Sequence, residues 1–485
     1  MRRIIRGFQI LLWAILRNKA VLTGTILFVL LFPVLLISTL LDLQGAIENP
    51  YFSLLLYLVL GPLLLIAIVL ILTGLIFTRK LKRGEMGGEP YTYEFIKTQL
   101  INPEQARIIR RFVYSTTSLV LIFLFMMAVF TYTGHRYTDS VQFCGTFCHT
   151  VMEPQFTTHR NSPHSQVRCV ACHINKEAGG LTGAKLSGLK QLYATITDSY
   201  PRPLTLSVKN LRPSRGTCEQ CHRPEKFHGH KLYFIDTFLA DEMNTQVQTA
   251  MIIKIGSGGH LGQTAEGIHW HTSEQHQLFY TTAAPEQRQI NSIRLISPGG
   301  VETTFFKEGA QEITGGTEHL MDCIDCHNRP THTFLSPEEA LDGKLLSGQI
   351  PTELPYIKRE ALAAVTRKYA GIQEARAGIT EHLRQWYTAT YPKLTGSRPE
   401  LLARAIEGAL QAHEENVFPE MKIGWQTYPN YIGHRHGGGC FRCHNDLFKS
   451  IDGKMISHDC SLCHIILAEK EPTEKVLQKL TDYNK

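Results

Sequence analysis

Twelve cysteines are spread over the 485-residue chain, and all of them stand in pairs whose second cysteine is directly followed by a histidine. Five pairs have two intervening residues and the first has three. The six motifs are Cys144, Cys148 and His149; Cys169, Cys172 and His173; Cys218, Cys221 and His222; Cys323, Cys326 and His327; Cys440, Cys443 and His444; and Cys460, Cys463 and His464. Two thiols at this spacing can form thioethers with haem vinyl groups, and the adjoining histidine becomes an axial iron ligand.

Paired cysteines alone would also fit zinc sites or disulfide bonds. Neither alternative explains why a histidine follows the second cysteine all six times. The pattern therefore predicts a multihaem cytochrome c with six covalently bound haem c groups.

Each iron needs a second axial ligand, and histidines outside the motifs are the first candidates. The strongest stand close to a motif: His164, His332, and His434 or His436. The next group is His159, His228, His230, His269, His271, His413 and His458. Surface or structural roles are expected for His135, His260, His276, His319 and His382. Met152 is a further candidate, because a thioether ligand would raise the haem potential, although it could equally be a packing residue.

Three apolar runs, residues 20–41, 52–78 and about 113–133, precede or border the first motif. Each is long enough to cross a hydrocarbon core of about 30 Å, so the sequence predicts three transmembrane helices. A cleaved signal peptide is the alternative for the first run, but no small-residue cleavage site precedes Asp42 and the next run follows closely. We therefore expect a retained anchor.

Within residues 1–133, the basic residues lie before the first run and between the second and third runs, whereas the loop after the first run has no basic residue. This bias predicts a cytoplasmic amino terminus and a haem domain on the outer, periplasmic face of the bacterial inner membrane. It also accounts for much of the net charge of +7, which therefore does not indicate nucleic-acid binding. No histidine precedes His135, so these helices are not expected to bind b-type haems.

The expected domains are a membrane anchor (1–133), a domain with haems 1–3 (134–230), a β-rich insertion (231–322), haem 4 with a helical segment (323–439), and haems 5–6 with a tail (440–485). Runs such as QLFYTT and NSIRLISPGGVETTFFKEG predict strands joined by a turn. Residues 337–418 show helical periodicity. The predicted fold is thus three transmembrane α-helices followed by a mainly α and loop haem domain with a small β-rich insertion. The porphyrins are expected to replace a conventional apolar core.

The run FCGTFCHTVMEPQFTTHRNSPHSQVRCVACHI resembles the NapC/NirT/NrfH family of membrane-anchored quinol dehydrogenases. It has their first motif followed by a methionine, and a Ser-x-His sequence before the second motif. SYPRP, NLRPSRGTCEQCHRPEKFHG and YPNYIGHRHGGGCFRCH are similar to larger multihaem relatives. The resemblance implies menaquinol or ubiquinol oxidation beside the first haem and electron transfer to a periplasmic cytochrome c or reductase.

The resemblance also implies roles for single residues. Met152 would correspond to the methionine ligand of the first haem, but the longer first motif leaves open whether His149 or Met152 binds the iron. Lys185 matches the family's quinol-site lysine, and the alternative is that it reaches lipid phosphate. The family's acidic residue has no clear counterpart, since Gln191 lies nearest and Asp198 is further along.

Two other functions compete with quinol oxidation. One is an electron conduit within a larger respiratory complex, without its own quinol site. The other is a terminal oxyanion reductase with an open haem, which six motifs ending in histidine disfavour. The sequence leaves the oligomeric state open.

Overall fold

The computed structural model describes residues 19–43, 59–85, 125–126, 129–130, 132–134, 136–147, 149–173, 188, 190–204, 214–259, 264–282, 289–309, 316–435 and 438–483. The chain forms two compact units, Met1–Phe147 and Cys148–Lys485. The division falls inside the first motif, fourteen residues beyond the anchor boundary that the sequence predicted at 133.

The first unit contains helices α1 (Lys19–Leu43), α2 (Gly61–Glu85) and α3 (Val141–Thr146). Helices α1 and α2 pack on each other around Leu35 and Leu64. Gly24 permits the close approach, because a Cβ atom there would lie 2.6 Å from the carbonyl oxygen of Ala67.

One stretch in the part of the chain that the structure describes, Ala20–Thr39, is long and apolar enough to cross a membrane. Helix α2 contributes a shorter apolar stretch, Gly61–Thr73. The predicted second span is described only from residue 59, and the predicted third span lies almost wholly outside the described residues. The presence of three transmembrane helices therefore stays a prediction.

The second unit has short helices at or beside the first four motifs: α4 (His149–Arg160), α5 (Cys169–His173), α6 (Ser214–Cys218) and α7 (Cys323–Cys326). It also contains two antiparallel sheets. One has the order β1 (Lys231–Phe238), β2 (Gln246–Ile253), β8 (His464–Glu471). The other has the order β6 (Thr317–Leu320), β3 (Gln277–Thr282), β4 (Ile290–Ile296), β5 (Glu302–Lys307), β7 (Phe448–Ser450).

The strands predicted from QLFYTT and from the two halves of NSIRLISPGGVETTFFKEG are confirmed as β3, β4 and β5. The sheets are not confined to the predicted insertion, because β7 and β8 from the last segment complete them. Helix α13 (Thr473–Tyr483) follows β8 and buries Val476 against Ala250 and Ala468. Long-range strand pairing of this kind has no local sequence signal.

The predicted helical segment is confirmed as α8 (Pro337–Leu346), α9 (Ile357–Val365), α10 (Ile372–Thr390), α11 (Pro392–Ser397) and α12 (Pro399–Glu414). Ser336 caps α8 in a capping box. Its side chain accepts a hydrogen bond from the backbone nitrogen of Glu339, and the Glu339 side chain accepts one from the backbone nitrogen of Ser336. The expectation that porphyrins replace a conventional core is wrong here. The helices enclose an apolar cluster that includes fully buried Leu341, Ile379 and Leu383, because their sequences place apolar residues on one face.

Candidate haem sites

The motif cysteines lie on short helical turns. Helix α5 spans the second motif, α6 ends at Cys218, and α7 spans Cys323–Cys326 with a capping box between Asp322 and Asp325. The fifth and sixth motifs lie on 3₁₀ turns, Gly439–Arg442 and Cys460–Leu462. Residues three apart lie on the same side of such a turn, so both thiols of a motif can reach one ring. None of the eleven cysteines that the structure describes forms a disulfide.

His332 approaches the histidine of the second motif. Its ring centre lies 6.3 Å from that of His173, and its Nδ1 atom lies 3.0 Å from the carbonyl oxygen of Gln155. Burial, and then the neighbouring His173, lower the pKa of His332 to about 4. The ring is therefore neutral near pH 7, and its Nε2 lone pair can bind a metal.

His164 approaches the histidine of the third motif. The ring centres of His164 and His222 are 5.9 Å apart. The Nδ1 atom of His164 lies 3.1 Å from the carbonyl oxygen of Pro330, which again leaves Nε2 for a metal. A carbonyl partner on the other ring nitrogen is the usual way in which proteins orient a metal-binding histidine.

His434 approaches the histidine of the sixth motif. Its ring centre lies 6.1 Å from that of His464, and the same ring stacks on Phe441 at 4.3 Å. His434 precedes the fifth motif in the chain but faces the sixth. His436, the alternative candidate, lies outside the described residues.

These distances fit an iron between two imidazoles. A bond from an imidazole nitrogen to a metal is about 2 Å long, and the ring centre lies about 1 Å beyond the nitrogen. Two rings on opposite sides of one ion therefore have their centres about 6 Å apart. The three pairs, at 5.9, 6.1 and 6.3 Å, match that spacing. Two histidine ligands keep haem iron six-coordinate, which favours electron transfer over substrate binding.

The motifs contact one another in sequence order from the second to the fifth. Helix α6 of the third motif contacts α5 of the second and α7 of the fourth. Arg442, inside the fifth motif, donates a hydrogen bond from Nη2 to the carbonyl oxygen of Asp325, inside the fourth, at 2.6 Å. The stacked pair of His434 and Phe441 then joins the fifth motif to the sixth.

A hydrogen bond to Asp325 connects the five-stranded sheet to the fourth motif. The sequence did not predict this contact. The Tyr280 hydroxyl donates to Asp325 Oδ1 at 2.5 Å, and both residues are buried. Burial raises the pKa of Asp325, and the hydrogen bond from Tyr280 partly opposes this. No short motif links residues 280 and 325, so only the folded chain reveals the contact.

Several lower-ranked histidines make ring contacts or hydrogen bonds with residues other than the motif histidines. His413 is buried among the helices, between the rings of Tyr369 and Trp425. His458 bonds to Asp446, and His382 bonds to Glu360 at 3.1 Å. His159 lies 6.4 Å from His332, but its Nε2 atom is 3.0 Å from the carbonyl oxygen of Val167.

The first motif and the quinol-site candidate are described only in part. His149 begins helix α4, and Met152 lies three residues later on that helix. The side chain of His149 lies outside the described residues, as does all of Lys185. Residues 190–196, just beyond Lys185, are helical, and Tyr193 and Ile196 on that helix are 69% and 75% exposed.

Paired axial histidines beside covalent attachment motifs, in a chain that also carries an apolar anchor helix, are what a membrane-anchored multihaem cytochrome c requires. The chain belongs to the NapC/NirT family of these cytochromes, as the sequence resemblance predicted, and it therefore binds haem c covalently. Residues 107–231 match the model of the N-terminal region of the NapC/NirT cytochrome c family.

Two known proteins are similar to the chain. The chain is 34% identical to the cytochrome c-type protein ImcH of Geobacter sulfurreducens over 457 residues, which cover 93% of this chain and 88% of that protein. It is 31% identical over 91 residues to NrfH, the cytochrome c nitrite reductase subunit of Nitratidesulfovibrio vulgaris, covering 18% of this chain and 55% of NrfH. No solved structure matches the chain.

Proposed function

We propose that the chain is a hexahaem quinol dehydrogenase of the inner membrane. It oxidises menaquinol or ubiquinol at the outer face and passes the electrons to a periplasmic acceptor, in anaerobic or extracellular respiration. Membership of a family of membrane-anchored cytochromes c supports the quinol-linked role. The charge bias of the loops supports a cytoplasmic amino terminus and a periplasmic haem domain.

Oxidation of one quinol releases two electrons and two protons and leaves a quinone. Each bound haem c accepts a single electron, which divides the two-electron oxidation into one-electron transfers. The protons leave toward the periplasm, since the site lies at the outer face.

The axial ligands follow from the histidine pairs. His173 and His332 would hold the second haem, His222 and His164 the third, and His464 and His434 the sixth. His149 or Met152 would hold the first haem. The motif histidines His327 and His444 would provide one ligand each to the fourth and fifth.

The main support for an electron relay is that neighbouring motifs contact one another in the order of the sequence. The contacts of α6 with α5 and α7, the bond between Arg442 and Asp325, and the ring of His434 together form a continuous path from the second motif to the sixth. Electrons that enter beside the first haem would therefore leave near Cys460 and Cys463, at the other end of this path.

Lys185 is the proposed quinol-site residue. Its ammonium group would donate a hydrogen bond to a quinol oxygen and hold the ring beside the first haem. A lysine that only contacts lipid phosphate would also lie near the membrane, so the two roles need an experiment. Lys190 is exposed on the same segment and provides a matched control.

The experiment is reduction of the purified, detergent-solubilised protein by a menaquinol analogue, followed by haem absorbance with and without a quinol-site inhibitor. We expect rapid, inhibitor-sensitive reduction that Lys185→Ala slows at least tenfold and Lys190→Ala leaves unchanged. Dithionite should reduce all variants fully. If the analogue leaves the haems oxidised while dithionite reduces them, the chain is an electron conduit that needs a partner dehydrogenase, and the proposal is wrong.

A further inference from the structure

The 3₁₀ turn Ile268–Thr272, which we call the histidine turn, carries the sequence Ile-His-Trp-His-Thr between β2 and β3. The chain just after β2 holds this turn in place. Ile268 donates from its backbone nitrogen to the carbonyl oxygen of Lys254 at 2.9 Å, and His269 to that of Ile255 at 3.1 Å. Gly267 precedes the turn with a φ of +64°, and a Cβ there would lie 2.6 Å from the Lys254 carbonyl oxygen, so only glycine fits.

His271 faces the histidine of the fifth motif. The ring centres of His271 and His444 are 5.8 Å apart, close to the spacing of the three pairs described above. The Nδ1 atom of His271 lies 2.8 Å from the carbonyl oxygen of Ile268, and that of His444 lies 2.8 Å from the carbonyl oxygen of Ser457. Both rings therefore keep Nε2 for a metal between them.

His269 points in a different direction. A 3₁₀ helix has three residues per turn, so side chains two residues apart leave its axis about 120° apart and cannot reach the same iron. The ring of His269 stacks on Phe227, with centres 4.8 Å apart. Of the two histidines in the turn, His271 is therefore the one that faces His444.

We propose that the histidine turn supplies the distal ligand of the fifth haem, His271. The inference rests on the proposed haem content and is independent of quinol oxidation. It gives the β-rich segment a specific task, since a turn between its strands would complete the metal site of the fifth motif.

His276 provides a matched control. It lies five residues beyond His271, is buried, and stacks on Trp270 with ring centres 4.0 Å apart. It therefore shares the surroundings of the histidine turn without pairing with a motif histidine among the ring contacts of the described residues.

The experiment is electron paramagnetic resonance of the oxidised, detergent-solubilised holoprotein, with haem content measured in parallel. We expect His271→Ala to convert one low-spin haem to high spin, and added imidazole should restore the low-spin state. His276→Ala should leave every haem low-spin.

His271→Met keeps a ligand at the fifth haem and so guards against loss of folding. We expect it to retain the full haem content and to raise the midpoint potential of one haem, because a thioether replaces an imidazole. An unchanged spin state in His271→Ala, with full haem content, would refute the assignment. A high-spin signal from His276→Ala would refute it as well. Neither result depends on reaction with quinol.

Discussion

The imidazole of His332 lies with its ring centre 6.3 Å from that of His173, although the two residues belong to different motif regions. Its Nδ1 atom is directed at the carbonyl oxygen of Gln155 in helix α4, 3.0 Å away. Three separate segments of the second unit therefore meet at the second motif. The arrangement fixes the ring before any metal binds, which favours a six-coordinate iron.

His332→Ala should convert the second haem to high spin, because His332 is the one imidazole that pairs with His173 among the ring contacts of the described residues. About one sixth of the low-spin signal in the electron paramagnetic resonance spectrum should be lost, since we expect six haems. His319→Ala, at a strand of the five-stranded sheet, should leave the spectrum unchanged. Retention of the full low-spin signal in His332→Ala would show that another residue, with His159 as the nearest, is the ligand.

Lys358→Met should destabilise the helical region. Lys358 and Asp342 form a salt bridge at 2.5 Å with side chains only 5% and 11% exposed, and Lys358 also donates to the carbonyl oxygen of Glu338. Removing the ammonium group leaves a buried carboxylate without its cation, which typically costs about 3–5 kcal/mol of unfolding free energy. Urea unfolding followed by circular dichroism measures the change.

Two variants serve as controls for Lys358→Met. Arg376→Met breaks the exposed pair with Glu414 and should cost less than about 1 kcal/mol. The double variant Lys358→Met with Asp342→Leu removes both charges and should recover most of the loss. A double variant as unstable as the single one would mean that packing and not charge explains the effect.

The stability of helix α12 should fall as the pH drops from about 6.5 to about 4. Burial lowers the pKa of His413 from 6.5 to about 4, so the unfolded chain binds more protons than the folded chain within this window. The contribution of His413 is fully present above pH 6.5 and declines by about 1–3 kcal/mol as the pH approaches 4, after allowance for solvent screening.

Hydrogen exchange of peptides covering α12, corrected for the intrinsic effect of pH, measures this decline. His413→Gln removes the titrating group and should flatten the pH dependence between 4 and 6.5. An equally steep dependence in His413→Gln would assign the effect to other groups.

Gly24→Leu should weaken the packing of α1 on α2. A side chain at this position meets the backbone of Ala67 and the side chain of Ile71, so the helices must separate at a cost of about 1–3 kcal/mol. The thermal unfolding temperature of the detergent-solubilised protein should fall by several degrees. Val29→Leu on the exposed face of α1 should not change it, and an equal effect of both substitutions would contradict the packing explanation.

The attachment motifs could be predicted from the sequence, because the thiols and the proximal histidine of each site lie within six consecutive residues. Helices α8–α12 and strands β3–β5 were also predictable, since their apolar periodicity is local. Sequence proximity also ranked His164, His332 and His434 above the other histidines, and each of them lies near a motif histidine.

The partners of those histidines could not be predicted. His164 stands just before the second motif but faces the third, and His434 stands just before the fifth but faces the sixth. His271 stood only in the second group of candidates, yet it faces His444. Covalent attachment of a haem depends on neighbouring residues, so the sequence alone predicts it. The pairing of two axial histidines depends on contacts between distant segments. Only the tertiary structure brings those segments together.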